Sequence, residues 1–144
     1  MRPLTVFIWG SRLLLAGLFL TAGLIKAGAS EGFAITIATF SILPPTIVTA
    51  FANLLPWVEI LAALLLLIPP TARLGAALAA LLLFTFIGAL AWALSQGLIV
   101  DCGCFGESPP SLSKMVVALV RNVILLALTL ALAVRSTRVV SRRN

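Results

Sequence analysis

Residues 46–94 read TIVTAFANLLPWVEILAALLLLIPPTARLGAALAALLLFTFIGALAWAL, and only Glu59 and Arg73 carry charge among them. A helix that crosses a bilayer needs about 20 predominantly apolar residues. This stretch holds two such runs, from about Thr46 to Ile68 and from about Ala72 to Leu94, divided by Pro69-Pro70. Proline has no amide hydrogen and restricts the residue before it, so the pair marks a boundary between two spans. The apolar residues come in unbroken runs and not in alternation, which excludes a transmembrane barrel.

The rest of the chain has the same character. Of its 144 residues 62% are hydrophobic and 10% charged, with a mean hydropathy of +1.22; a soluble domain has about 45–50% and about 25%. Too few polar groups exist to cover a water-soluble globule, and a disordered chain is poor in apolar residues. A first span runs from about Leu4 to Ile25, interrupted by Arg12. A fourth runs from about Leu112 to Val134, contains Arg121 and Asn122, and follows Pro109-Pro110. The expected fold is all-α and integral to the membrane: one domain, residues 1–144, built as a four-transmembrane-helix bundle. The stretch 31–43 is too short to cross. It starts at Ser30-Glu31, stops at Pro44-Pro45, and sets Phe33, Ile37, Phe40 and Leu43 near one helical face, as a short interfacial helix would. Arg12, the run Leu13–Ile25 and Ala27-Gly28-Ala29 together look like a cleavable signal sequence. Lys26, just before the small residues, argues for a retained membrane helix instead.

Charge placement sets the expected orientation. Arg2, Arg12, Arg73, Arg135, Arg138, Arg142 and Arg143 fall at or near one side if both termini share a compartment; Lys26, Lys114, Glu31, Asp101 and Glu107 fall on the other. Basic residues prefer the cytoplasm, so both termini are expected there, in the inner (cytoplasmic) membrane. The formal charge of +6 is thus a topology signal and not a nucleic-acid footprint, and the terminal arginines are placed to touch anionic lipid. Trp9, Trp57 and Trp92 suit interfacial anchors, with ordinary packing an equal account of Trp57. Gly17, Gly23, Gly75 and Gly88 allow close helix approach.

The chain has no histidine and no tyrosine. That excludes a Ser-His-Asp triad, a histidine metal site and a tyrosine acid. Chemistry must come from cysteines, a few charges and a bound cofactor. Both cysteines lie in Asp101-Cys102-Gly103-Cys104-Phe105-Gly106, in the loop 97–111 between the third and fourth spans. The expected topology puts this loop on the extracytoplasmic face, where disulfides persist. A bond between Cys102 and Cys104 closes a very small ring, which stabilises a fold little. Strained disulfides are the more oxidising and labile ones. A redox-active dithiol is the sharper reading; an inert pair, a static staple or a soft-metal site such as Cu(I) stay open.

Glu59 and Arg121 form the second constellation. Ionisable groups inside a span need partners. At 1.5 Å per residue, Glu59 lies roughly 20 Å and Arg121 roughly 14 Å from the outer ends of their helices. The expectation is an ion pair or hydrogen-bonded network between the second and fourth helices, joined by Asn122 and Lys26. It serves either as an architectural clamp or as a polar site that binds a quinone head group or relays protons. Pro56, three residues before Glu59, is expected to kink the helix, either exposing a carbonyl to such a site or serving packing alone.

These residues, in order, resemble the MauE/DoxX-like family of small redox-associated membrane proteins, of the methylamine-utilisation MauE type. The resemblance rests on Gly23-Leu24-Ile25-Lys26, Leu43-Pro44, Leu55-Pro56-Trp57-Val58-Glu59, Cys102-Gly103-Cys104-Phe105-Gly106 and Arg121-Asn122, the cysteine motif being the most specific. It implies a four-helix bundle broadly similar to the vitamin K epoxide reductase arrangement and a link to thiol–disulfide exchange. Unlike that group, the chain has no Cys-x-x-Cys and no second cysteine pair. The resulting expectation is a membrane thiol–disulfide oxidoreductase. Cys102 and Cys104 would take electrons from a periplasmic thioredoxin-like or disulfide-containing partner and pass them to a quinone near Lys26, Glu59, Arg121 and Asn122, with no metal required. The rivals are a soft-metal binding or transport protein and a non-catalytic membrane anchor subunit of a redox complex.

Overall fold

The computed structural model describes residues 3–100 and 109–141, with side chains through 134. Helix α1 spans Pro3–Gly28, α2 Ser30–Thr39, α3 Pro45–Leu67, α4 Ala72–Ser95 and α5 Leu112–Ser141, with a 3-10 turn at Pro69–Thr71 between α3 and α4. Among the described residues four helices, α1, α3, α4 and α5, are long and apolar enough to cross a membrane. The Cys102 and Cys104 expectations lie outside the described residues, as do those for Asp101, Glu107, Arg2, Arg142 and Arg143.

The helices pack in chain order: α1 on α3, α3 on α4, α4 on α5, with α5 returning to α1 and α2 lying against α3. Leu15, Ala62, Ala63, Leu66, Ala79 and Leu83 fill the centre. The outward faces are as apolar as the inside. Leu81, Phe84, Val117 and Ile124 are all more than 60% exposed, a surface that would aggregate in water and that hydrocarbon accepts without cost. Trp57 is 64% exposed, so it stands on the outer face of α3 and packing does not account for it.

The prolines act where the sequence suggested and leave a debt of hydrogen bonds. Pro69 and Pro70 cannot donate to the carbonyls of Leu65 and Leu66, which face them four residues earlier on α3. Other groups supply the donors. The Thr71 hydroxyl donates to Leu65 O (3.2 Å), while Arg12 Nε donates to Leu66 O (2.7 Å) and Arg12 Nη2 to Leu67 O (3.2 Å). Arg12, which interrupts the first span in the sequence, is therefore the C-terminal cap of α3, only 8% exposed, with its guanidinium 4.5 Å from the Trp9 ring centroid.

Helix α2 stops at Thr39, short of the expected Leu43, because Ser41 takes a left-handed φ of 54°. The periodicity foretold the face and not the backbone: Phe33, Ile37, Phe40 and Leu43 all line one cavity. At the same end of the bundle α4 closes in a Schellman turn, with Gly97 N–H to Leu94 O and Leu98 N–H to Ala93 O. Gly97 has φ 68°, a conformation that glycine adopts freely.

Of the four glycines expected to admit close approach, two do so. A Cβ at Gly75 would stand 2.6 Å from Leu66 N and 2.8 Å from Leu65 C, whereas one at Gly17 or Gly88 would meet nothing within 4 Å. Backbone cannot rotate aside as a side chain can. Gly75→Ala is therefore expected to destabilise the bundle in detergent by about 1–3 kcal/mol, the usual cost of overpacking. Gly17→Ala, which only removes a poor helix former, should be neutral or stabilising by up to roughly 1 kcal/mol. Thermal unfolding of the two variants checks the contrast; equal melting temperatures would contradict it.

Candidate functional site

The polar residues of the bundle gather where α1 meets α3. Gly23 is pressed against α3: a Cβ there would lie 2.9 Å from the Pro56 carbonyl oxygen and 3.3 Å from Glu59 Cβ. Lys26 follows three residues later, on the same face of α1, and its Nζ donates to Glu59 Oε1 at 2.5 Å. Both side chains are 1% exposed. The Gly-x-x-Lys and Leu-Pro-Trp-x-Glu elements, whose Lys26 and Glu59 are 33 positions apart in sequence, are two halves of one contact. Glycine lets the helices touch, and the touching helices let the lysine reach the carboxylate.

Aromatic rings close over the ammonium. Lys26 Nζ lies 5.1 Å from the Phe33 ring centroid of α2 and 4.7 Å from that of Phe86 on α4. Their faces carry partial negative charge and stabilise a desolvated cation. Neither ring was singled out as a partner of Lys26 in the sequence. Phe33 was visible only as part of an apolar face, and nothing in the sequence marked Phe86.

This arrangement corrects one expectation. Glu59 is paired with Lys26, not with Arg121. The reason is register: Gly23 brings α1 onto α3 at the turn that carries Glu59, so the ammonium arrives directly. Arg121 and Asn122, from α5, line a small cavity that Glu59 also lines, together with Phe86. The α3–α5 link is thus a shared cavity and not an ion pair. Asn122 is 3% exposed. Among the described residues its Nδ2 has no hydrogen-bond partner, and neither has Glu59 Oε2. One is a donor and the other an acceptor. The cavity measures about 40 Å³, more than the roughly 10–15 Å³ that one water needs. The cavity therefore has room for a water or a small polar group beside the two atoms.

A second cavity, of about 170 Å³, lies beside the first between α2, α3, α4 and α5. Phe33, Phe40, Phe51, Leu55 and Phe86 supply ring faces and apolar wall, and Asn122 is again at its edge. Asn122 and Phe86 therefore line both cavities, the smaller of which also receives Glu59 and Arg121. Lys26 lines neither; it holds Glu59 from behind the two phenylalanines. The chain leaves α4 above this region. Val100 is buried in a cluster with Leu90, Ala93, Met115 and Ala118, and Leu90 also lines the larger cavity.

Three comparisons bear on this geometry. A family model described as methylamine utilisation protein MauE matches residues 4–135. A methylamine utilization protein MauE of Paracoccus denitrificans is 37% identical over 127 residues, which are 88% of this chain and 68% of that protein. Another, of Methylophilus methylotrophus, is 35% identical over 112 residues, 77% of this chain and 58% of the relative. No solved structure gives a significant match.

Proposed function

The chain belongs to the MauE family, and from that premise we propose that it is a membrane thiol–disulfide oxidoreductase linked to quinone. In this reading the bundle has the vitamin K epoxide reductase-like arrangement and sits in the inner membrane with both termini cytoplasmic. Helix α2 lies at the outer surface, and the Cys102-Gly103-Cys104 segment is extracytoplasmic. The observation that carries the reading is the larger cavity. It is apolar, ring-lined and edged by the unsatisfied Asn122 amide, and Leu90 joins its wall to the cluster that anchors Val100, from which the cysteine segment departs.

Oxidised Cys102–Cys104 accepts two electrons from an extracytoplasmic dithiol on a thioredoxin-like or disulfide-containing partner. A partner thiolate attacks one sulfur, the intramolecular S–S bond breaks, and a mixed disulfide forms. The partner's second thiol resolves it, leaving the partner oxidised and Cys102 and Cys104 as two thiols. A quinone, when bound, supplies the acceptor for that electron pair and two protons. The residues present fit such a group: Phe33, Phe40, Phe51 and Phe86 offer ring surfaces, Asn122 Nδ2 a donor for a carbonyl oxygen, and Glu59 Oε2 an acceptor beyond it. Lys26 positions Glu59 and keeps its second oxygen turned to the small cavity. Arg121, on the same wall, adds positive charge where negative charge develops.

The test is thiol titration of the reduced, purified chain with and without a short-chain ubiquinone. Loss of both thiols on quinone addition is expected, falling to background in Cys102→Ser and in Cys104→Ser. Unchanged disulfide formation in the partner with both variants would establish an anchoring subunit instead. Stoichiometric Cu(I) binding without thiol oxidation would establish a soft-metal protein.

A further inference from the structure

At the opposite end of the bundle, we propose that a recess beneath the α3–α4 turn binds the phosphate of an anionic membrane phospholipid. The recess measures about 240 Å³ and is lined by Arg12, Arg73, Pro69 and Pro70, with Ile8 and Leu132 on either side. Arg12 is the unusual member. It is 8% exposed, and its contacts are the carbonyls of Leu66 and Leu67 and the face of Trp9. None of these carries a formal negative charge. Of the acidic residues with described side chains, Glu59 is committed to Lys26 and Glu31 belongs to α2, packed at the other end. A cation held in a low-dielectric site without a counter-ion is costly.

The guanidinium keeps further N–H donors beyond the two given to α3. A planar, permanently charged donor group is suited to phosphate oxygens. Arg73 brings a second positive charge to the same recess. The walls favour a lipid over free phosphate. They combine these two cations with apolar side chains from α1 and α5, the pattern of a head group joined to acyl chains. Helices α1 and α5 continue beyond the lining residues Ile8 and Leu132, to Pro3 and Ser141, so the recess is set between two helices.

The experiment uses the full chain in nanodiscs of phosphatidylcholine alone or mixed equally with phosphatidylglycerol, read by native mass spectrometry and thermal unfolding. Preferential retention of phosphatidylglycerol and a higher melting temperature in the mixed discs are expected. Arg73→Gln leaves the α3 cap intact and should lower that retention about fivefold, the weight of one basic residue at an anionic surface. Lys114→Gln, at the other end of the bundle, should not. Equal retention of the two lipids, wild-type retention by Arg73→Gln, or an equal loss in Lys114→Gln would overturn the proposal. So would the same stabilisation by inorganic phosphate in phosphatidylcholine discs, which would make the recess a free-anion site.

Discussion

Lys26→Met is expected to cost the bundle about 3–5 kcal/mol, the range for removing one partner of a buried ion pair. The variant leaves the Glu59 carboxylate, 1% exposed, with no cation against it and strips two aromatic rings of the charge they enclose. The loss should not be additive. Replacing both partners, as Lys26→Met with Glu59→Leu, removes the desolvated charges together and should recover most of the stability, because apolar substitutes of similar size often match a buried pair. Denaturant unfolding in detergent, followed by helical circular dichroism, gives the four corners of the cycle. Single losses that simply sum in the double variant would show the residues uncoupled and the pair unimportant. The same cycle with Arg121→Gln in place of Lys26→Met should give a much smaller coupling to Glu59, since Arg121 meets it only across a cavity.

Arg12→Leu is the second large effect. Proline at 69 and 70 leaves α3 without the donors that would close its last turn, and Arg12 serves two of its final carbonyls. Each buried carbonyl left without a donor costs roughly 1–3 kcal/mol. Arg12→Lys, with one ammonium on a flexible stem, can serve one carbonyl well but not both in the fixed fork of a guanidinium, so it should fall between. A melting temperature of Arg12→Leu equal to wild type would mean that the cap contributes nothing. The effect is separable from lipid binding because it is measured without anionic lipid, and because the Leu66 and Leu67 carbonyls are served by Arg12.

The two variants also show why part of the site was readable beforehand. Glu59 and Arg121 stand out because charge inside an apolar run is expensive, a rule that needs no coordinates, whereas Lys26 reads only as the outer end of the first helix. Which charge meets which depends on helix register. Counting residues put Glu59 and Arg121 at depths that long side chains bridge, yet it ignored the approach of α1. That approach is set by Gly23 against Pro56, a backbone contact that no composition or spacing reports. The same limit applies to Gly17, Gly23, Gly75 and Gly88. All four permit contact, and only packing chooses Gly23 and Gly75.

What the chain dictated alone was the class of fold and its punctuation. Runs of apolar residues long enough to cross hydrocarbon, divided by proline pairs, leave four long helices and one short one as the outcome, because backbone amides and carbonyls in lipid must bond within their own segment. The tertiary structure decided the pairings across helices. It gave Lys26 to Glu59, turned Arg12 from an interruption into a cap, and set Asn122 and Phe86 on the walls of two neighbouring cavities. Those choices rest on contacts between residues 30 to 55 positions and more apart, where the rotation and height of one helix against another, and not local preference, determine which side chains meet.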